Sequence, residues 1–420
     1  MKRLSILLMM CILMACAQAP ARSQVAISFM ISGDAAEKAA YEQLVQAFQQ
    51  RRPDIQLQLV HIPGDSDYRK RLAIDFAAGK AADIVLMNYR RYADYAARDV
   101  LEPIGPYLAR STLINERDFY AQAIAPFKWQ GTLTCLPQNL SSLVVYYNQD
   151  MFKAAGLEFP HNNWTWEDML RVAKALTRDI NNDGRLDQYG LGTDVVFLRV
   201  APFIWQNGGD LVDDTQEAHM LTVNTAETRA AIQWFVELQT MHHVVPDSAA
   251  EASESSESRF MNGRTAMYLD SRRGVPTYRQ ISGFHWDVAP LPIGKQQAGV
   301  LHADGYCMAR SSIYKESAWA FIEFANSVEG QSIIAKTGRT VPSLRSVAES
   351  VVFLDPNALP QSSQVFLSDA DTIRAVPVMK TWPAIEEILD EELRRAFYGQ
   401  ASLDEALNAA TQRTAALFAP

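Results

Sequence analysis

Two hydrophobic periodicities alternate in a fixed order across residues 25–87, and that order restricts the fold more than any other feature of the chain. Residues 25–31 form an apolar run of strand length. Gly33-Asp34 then opens a helix in which Tyr41, Leu44, Val45 and Phe48 recur at i, i+3, i+4 and i+7. Residues 55–60 alternate as a second strand, residues 68–78 form a helix that stops at Gly79, and residues 84–87 form a third strand. Such units in succession require parallel strands joined by right-handed crossovers. An open α/β sheet of this kind takes ligands in crevices outside the carboxyl ends of its strands.

The beginning of the chain decides the compartment. Lys2 and Arg3 precede an apolar run, residues 4–15, that is too short to span a bilayer. Leu13-Met14-Ala15-Cys16 looks like a bacterial lipobox, with Met14 where Ser, Ala, Thr or Val is more usual. On that reading residues 1–15 are a signal peptide, Cys16 carries the lipid, and residues 16–24 are a tether to the membrane. The competing reading is ordinary signal cleavage after Ala19 or Ala21, giving a soluble periplasmic protein; Pro20 disfavours a cut after Ala19, and Cys11 is a poor lipid site. No later stretch reaches the ~18 apolar residues of a membrane helix. About 400 residues remain to fold in water, enough for two domains. Without residues 1–15 the formal net charge moves from -9 to -11, which argues against nucleic acid and anionic membrane as partners.

Cys135 and Cys307 are the cysteines left in the body of the chain. Export permits a bridge, but pairing needs Cα atoms within about 7 Å, so two separately buried thiols are the favoured expectation. Neither has a Cys or His neighbour at metal-ligand spacing.

Residues 137–192 run through Tyr146-Tyr147-Asn148, Ala155-Gly156-Leu157, Asn162-Asn163-Trp164-Thr165-Trp166-Glu167, a polar Asp/Asn loop and Tyr189-Gly190. Arg51-Arg52-Pro53-Asp54-Ile55, Ala82-Asp83-Ile84-Val85, Gln206-Asn207-Gly208-Gly209-Asp210 and Asp287-Val288-Ala289-Pro290-Leu291-Pro292 add to the pattern. This order resembles the extracellular solute-binding proteins of ABC importers, in the family 1 sugar-binding, maltose-binding-protein-like group. Gln149 and Ala82 depart from it where Lys or Arg and Pro are frequent. The resemblance implies a two-lobed α/β fold of the periplasmic-binding-protein type II, with mixed sheets flanked by helices and a ligand cleft at the interlobe hinge. It further implies a first lobe of residues 25–135 plus 286–342 and a second of 136–285 plus 343–420, with crossings near residues 134–139, 290–293 and 340–343. A monomer without enzymatic activity, handing a carbohydrate to membrane permease subunits, is the implied function. The alternatives are a polyol phosphate or acidic sugar as ligand, or a lipoprotein that senses its ligand.

Strand ends and crossings nominate the site. Ser32 and Asp34 follow the first strand, Asn88 the third; Gln138, Asn139 and Ser141 lie in the first crossing. Asp270, Arg272 and Arg273 follow a strand over residues 264–269, and Gly305 and Tyr306 lie in a late turn. A sugar needs flat aromatic faces and planar carboxylate, amide or guanidinium groups. Trp205, just before the Gln206–Asp210 element, is the favoured aromatic; Trp286 and Trp382 are weaker candidates, and Arg374 could reach the cleft. Arg272 and Arg273 stand where relatives often have a small or aromatic residue. They suit an acidic ligand, or are an exposed pair bridged to nearby acids. Separately, Asp179, Asn181, Asp183, Arg185 (through its carbonyl) and Asp187 occupy the spacing of an EF-hand-type calcium loop, with Gly184 at the turn. Gly190 replaces the bidentate Glu, so a structural Ca2+ there competes with a loop whose side chains cap backbone amides. No cofactor is required, and no nucleophile elbow, zinc-protease or Walker motif is present in the sequence.

Overall fold

The computed structural model describes residues 24–418, so residues 1–15, read above as a signal peptide, and Cys16 lie outside the described residues. Two sheets carry the chain. The first has the strand order Ile55–Ile62, Val25–Ser32, Ile84–Asn88, Asp304–Met308, Cys135–Pro137. Its first three strands are parallel, as the alternating pattern requires, and Asp304–Met308 runs antiparallel to both its neighbours. The second sheet has the order Trp286–Ala289, Val144–Asn148, Thr265–Asp270, Tyr189–Gly192. Helices flank both, giving two α/β lobes. The helix Ala35–Arg51 turns Tyr41, Leu44, Val45 and Phe48 into the first core, where Phe48 meets Phe321 and Phe324 from the later helix Lys315–Ala325. Among the described residues no helix is long and apolar enough to cross a membrane.

Two expectations change. Trp286–Ala289 pairs with Val144–Asn148 in the second sheet, not the first, because its alternate side chains fill the core around Tyr146 and Tyr278. The chain therefore returns to the first lobe after Ala289. Cys135 and Cys307 are bridged: they face each other in register on neighbouring antiparallel strands, with Cα atoms 4.3 Å apart. Sequence spacing of 172 residues gave no sign of that register. The acidic, serine-rich residues 247–258 form the helix Ser248–Ser253 and the start of Ser256–Met261; Ser256 is buried and bonded to Glu251.

Three crossings lie side by side. Asn139 pairs with Pro342, and Ser141 with His302. Residues 134–139 and 340–343 were expected here; residues 290–293 instead lie inside the second lobe, where Trp164 donates its indole N–H to the Pro290 carbonyl at 3.0 Å. Gln331 ties the bundle together by donating to Gln138 O (3.1 Å) and Ser343 Oγ (2.7 Å).

Candidate ligand-binding site

Parallel strands deliver their following residues to one edge. Ser32, Asp34 and Asn88 emerge there, and Asn88 stands in register opposite Asp304, where the antiparallel strand begins. The second sheet does the same with Tyr189–Gly192 and Thr265–Asp270, also parallel, which lead into Asp194, Asp270 and Arg273. The two edges meet in a charged seam. Arg273, from the second lobe, lies 3.7 Å from the Glu37 carboxylate of the first. Arg339, in the third crossing, reaches Asp34 at 3.1 Å and Glu37 at 2.8 Å. Asn88 caps the helix Tyr89–Ala97 and donates its amide to Asp304 at 3.0 Å. Arg199 pairs with Asp194 (2.8 Å) and Asp270 (3.1 Å), and Arg90 pairs with Glu386 on the helix Trp382–Phe397.

Burial sets the protonation tendencies. It raises the Asp304 pKa against the opposing effect of Asn88, Arg273 and Arg90. It raises Glu37 despite Arg339 and Arg273. His302 is held well below its usual range by burial, with Arg199, Arg90 and Arg273 adding repulsion, so the ring is neutral. Asp34 goes the other way: burial alone would raise it, but the Glu37 amide and Arg339 hold it below the carboxylate range.

Four buried polar atoms of this neighbourhood have no hydrogen-bond partner among the described residues: Arg199 Nε, His302 Nε2, Glu386 Oε2 and Trp382 Nε1. Trp382 stands one helical turn from Glu386 and so shares its face. Buried polar atoms are normally satisfied. Unsatisfied donors and acceptors are the chemistry that the hydroxyls of a bound molecule complete, although the Trp382 ring itself is fully buried and offers no open face.

The predicted residues divide into those at the seam and those elsewhere. Ser32, Asp34, Asn88, Asp270 and Arg273 are at it. Gln138, Asn139 and Ser141 are buried in the crossings; Asn139 donates to His302 O (3.1 Å) and accepts from the Asp304 amide (2.8 Å). Arg272 points away: its guanidinium is sandwiched between Phe353 and Phe366, donating to Gly338 O at 2.8 Å and Ser363 Oγ at 3.1 Å. Burial lowers its pKa to about 10. Trp205 is 1 % exposed, with its indole N–H on Asp210 and its ring covered by Arg374, itself bonded to Asp210 at 2.6 Å. Trp286 fills the second core. Tyr306 packs on Phe29 in the first, and a side chain at Gly305 would come within 2.8 Å of the Phe127 ring. Sequence reasoning missed Glu37, Arg90, Arg199, His302 and Arg339. Arg90 and Arg339 sit within two residues of nominated strand ends or crossings, so a wider window finds them; Arg199, in the first turn of the helix Phe197–Gln206, gives no such signal.

In the loop of residues 179–187 the side chains cap backbone amides. Asp179 accepts from Gly184 (2.9 Å), Asn181 from Asp183 (2.9 Å), Asp183 from Arg185 (2.8 Å) and Asp187 from Ile180 (2.8 Å). Among the described residues no group of three or more His, Cys, Asp or Glu is placed to hold a metal ion.

Two α/β lobes joined by three crossings, with charged strand ends meeting between them, define a two-lobed solute-binding protein. Comparison with known proteins gives the family. Residues 32–332 match the bacterial extracellular solute-binding protein family, and the chain belongs to it. A candidate binding protein of Brucella abortus is 22% identical over 388 residues, covering 90% of this chain and 89% of its own. The sn-glycerol-3-phosphate-binding periplasmic protein of Salmonella paratyphi A is 23% identical, with 89% and 87% covered. Among solved structures, an ABC substrate-binding protein of Listeria monocytogenes in complex with cycloalternan superposes with a TM-score of 0.85 at 25% identity, covering 94% of this chain and 99% of that one.

Proposed function

We propose that this chain is the substrate-binding component of a carbohydrate ABC importer, taking a neutral sugar or oligosaccharide between its lobes and passing it intact to permease subunits. One observation carries the neutral ligand. Every guanidinium named at the seam already faces a carboxylate: Arg273 faces Glu37, Arg339 faces Asp34 and Glu37, Arg199 faces Asp194 and Asp270, and Arg90 faces Glu386. A phosphate would have to displace one of those carboxylates, whereas hydroxyls can bond to both partners of a planar ion pair. Arg272, the strongest sequence argument for an acidic ligand, is spent on Gly338 and Ser363. The cycloalternan complex of the Listeria relative agrees with this reading, and the sn-glycerol-3-phosphate relative supports the alternative.

Thermal unfolding of residues 23–420 separates them. A ligand at a hundredfold excess over its dissociation constant adds about 2.7 kcal/mol of stability. A raised midpoint with cycloalternan or maltotriose and none with sn-glycerol 3-phosphate is expected; the reverse pattern would overturn the neutral-sugar reading. Attachment through a lipid on Cys16 is part of the same proposal, and a Cys16→Ala variant that stays in the membrane fraction would count against it. A structural Ca2+ in the loop of residues 179–187 predicts a midpoint lowered by EDTA and restored by Ca2+; indifference to both would leave a loop closed by its own amides.

A further inference from the structure

Glu37 is not needed where it stands for the helix it belongs to. It occupies the third position of Ala35–Arg51, from which a glutamate commonly reaches back to the capping residue's amide. Here Asp34 caps the Glu37 amide at 2.8 Å, and the Glu37 carboxylate turns instead to Arg339 and Arg273. Its side chain is 15% exposed. The fold makes room for this turn. Gly33 has φ +129, and a Cβ there would land on the Glu37 carboxylate. Gly33 also accepts from or faces His61 Nε2 through its carbonyl at 2.7 Å, which holds the strand end in place. Sequence, backbone and charge therefore converge on placing one carboxylate between two arginines.

The two arginines belong to different bodies. Arg339 is in the third crossing, and Arg273 is on the second lobe. The residue before each is also joined: Arg272 donates to the carbonyl of Gly338. The second lobe thus grips the crossing through Arg272, and reaches the first lobe through Arg273 alone of the two. A carboxylate shared in this way contributes to lobe contact without any ligand.

We infer that Glu37 is a positioning residue for ligand capture: with Arg273 and Arg339 it forms an electrostatic latch that draws the lobes together before a ligand arrives. The latch rests on the two-lobed fold and not on the carbohydrate reading. Its consequence is that a ligand selects a closed state that is already populated, so the apparent dissociation constant rises by the factor by which the closed population falls when the latch is cut.

The test needs no ligand. Spin labels on cysteines introduced at the exposed positions Lys70 (first lobe) and Gln280 (second lobe) report the interlobe distance of the full mature chain by pulsed dipolar spectroscopy. Glu37→Gln and Arg273→Gln are each expected to move the distance distribution away from that of the wild type, by the same shift, and the double variant to add nothing. Salt at about 1 M, where the screening length is about 3 Å, should produce the same shift in the wild type and little in either variant. Gly33→Ala, which expels the carboxylate, should resemble Glu37→Gln. If Glu37→Gln fails to fold, Arg273→Gln decides alone, because its side chain is 68% exposed and outside both cores. Distributions identical to wild type for Arg273→Gln, at low and high salt, would overturn the latch whatever the ligand proves to be.

Discussion

Arg272 and Arg273 are neighbours in sequence, and the structure sends them into opposite environments. Arg272 enters an aromatic niche where nothing carries a formal negative charge: two phenyl faces at 4.6 and 4.7 Å, a carbonyl and a hydroxyl hold it. Arg273 stays in the open seam, where burial works against its charge but Glu37, Asp304, Asp34 and Asp270 outweigh it and raise its pKa. Packing and carbonyl dipoles hold the first in one position. Long-range charge attracts the second while leaving it free to move. A hinged binding protein needs both, a rigid join between lobe and crossing and a weak, reversible join between lobe and lobe.

The sharpest way to break this contrast is to empty the niche. Arg272→Ala leaves a void between Phe353 and Phe366 and strips Gly338 O and Ser363 of their donor, at a cost of about 3 kcal/mol in chemical denaturation. Arg272→Met fills the void without burying a charge and should recover most of that loss. Equal losses for Met and Ala would show that the charge itself holds the crossing.

Asp390 supplies the opposite case, a half-buried carboxylate whose charge is poorly matched. Burial and nearby Glu386 raise it to about 6, although it accepts from the Phe197 amide at 2.6 Å and Arg394 and Arg90 oppose the shift. An unfolded Asp titrates near ~3.9. Between those values the folded chain binds more protons than the unfolded one, so this group's contribution to stability is present below about pH 4 and lost as pH rises through about 6. Asp390→Asn keeps the acceptor for Phe197 and should add about 2 kcal/mol at pH 8, with no gain at pH 4. A gain that is the same at both pH values would assign the effect to packing.

How far this was legible in the sequence follows from which interactions are local. The helix over Ala35–Arg51 and the parallel strands beside it are written in periodicity, because each side chain's burial follows from its own spacing. The positions of Asn88 and Asp34 at strand ends and helix caps were legible because those are local features too. Cys135–Cys307 and Trp286 were misplaced because their partners, Cys307 and Tyr146, are set by strand register between distant segments. Trp205 shows the limit of residue-type arguments: its ring suits a sugar, yet Arg374, 169 positions later, closes over it. Nothing in residues 270–273 tells which arginine turns inward; that depends on Phe353 and Phe366 waiting beneath one of them.

The smallest expected effect is the most discriminating. Arg273→Ala removes an exposed ion pair, and such pairs contribute about 0–1 kcal/mol. Its denaturation midpoint should therefore stay close to wild type while Arg272→Ala, one residue away, unfolds far earlier. The same variant should lose the wild type's salt-dependent change in interlobe distance, because Glu37 keeps only Arg339, which does not reach the second lobe's edge. Stability and lobe separation then respond to different arginines. A large drop in stability for Arg273→Ala would mean that the seam is part of the fold's support, and that closing the lobes and holding them together are one function instead of two.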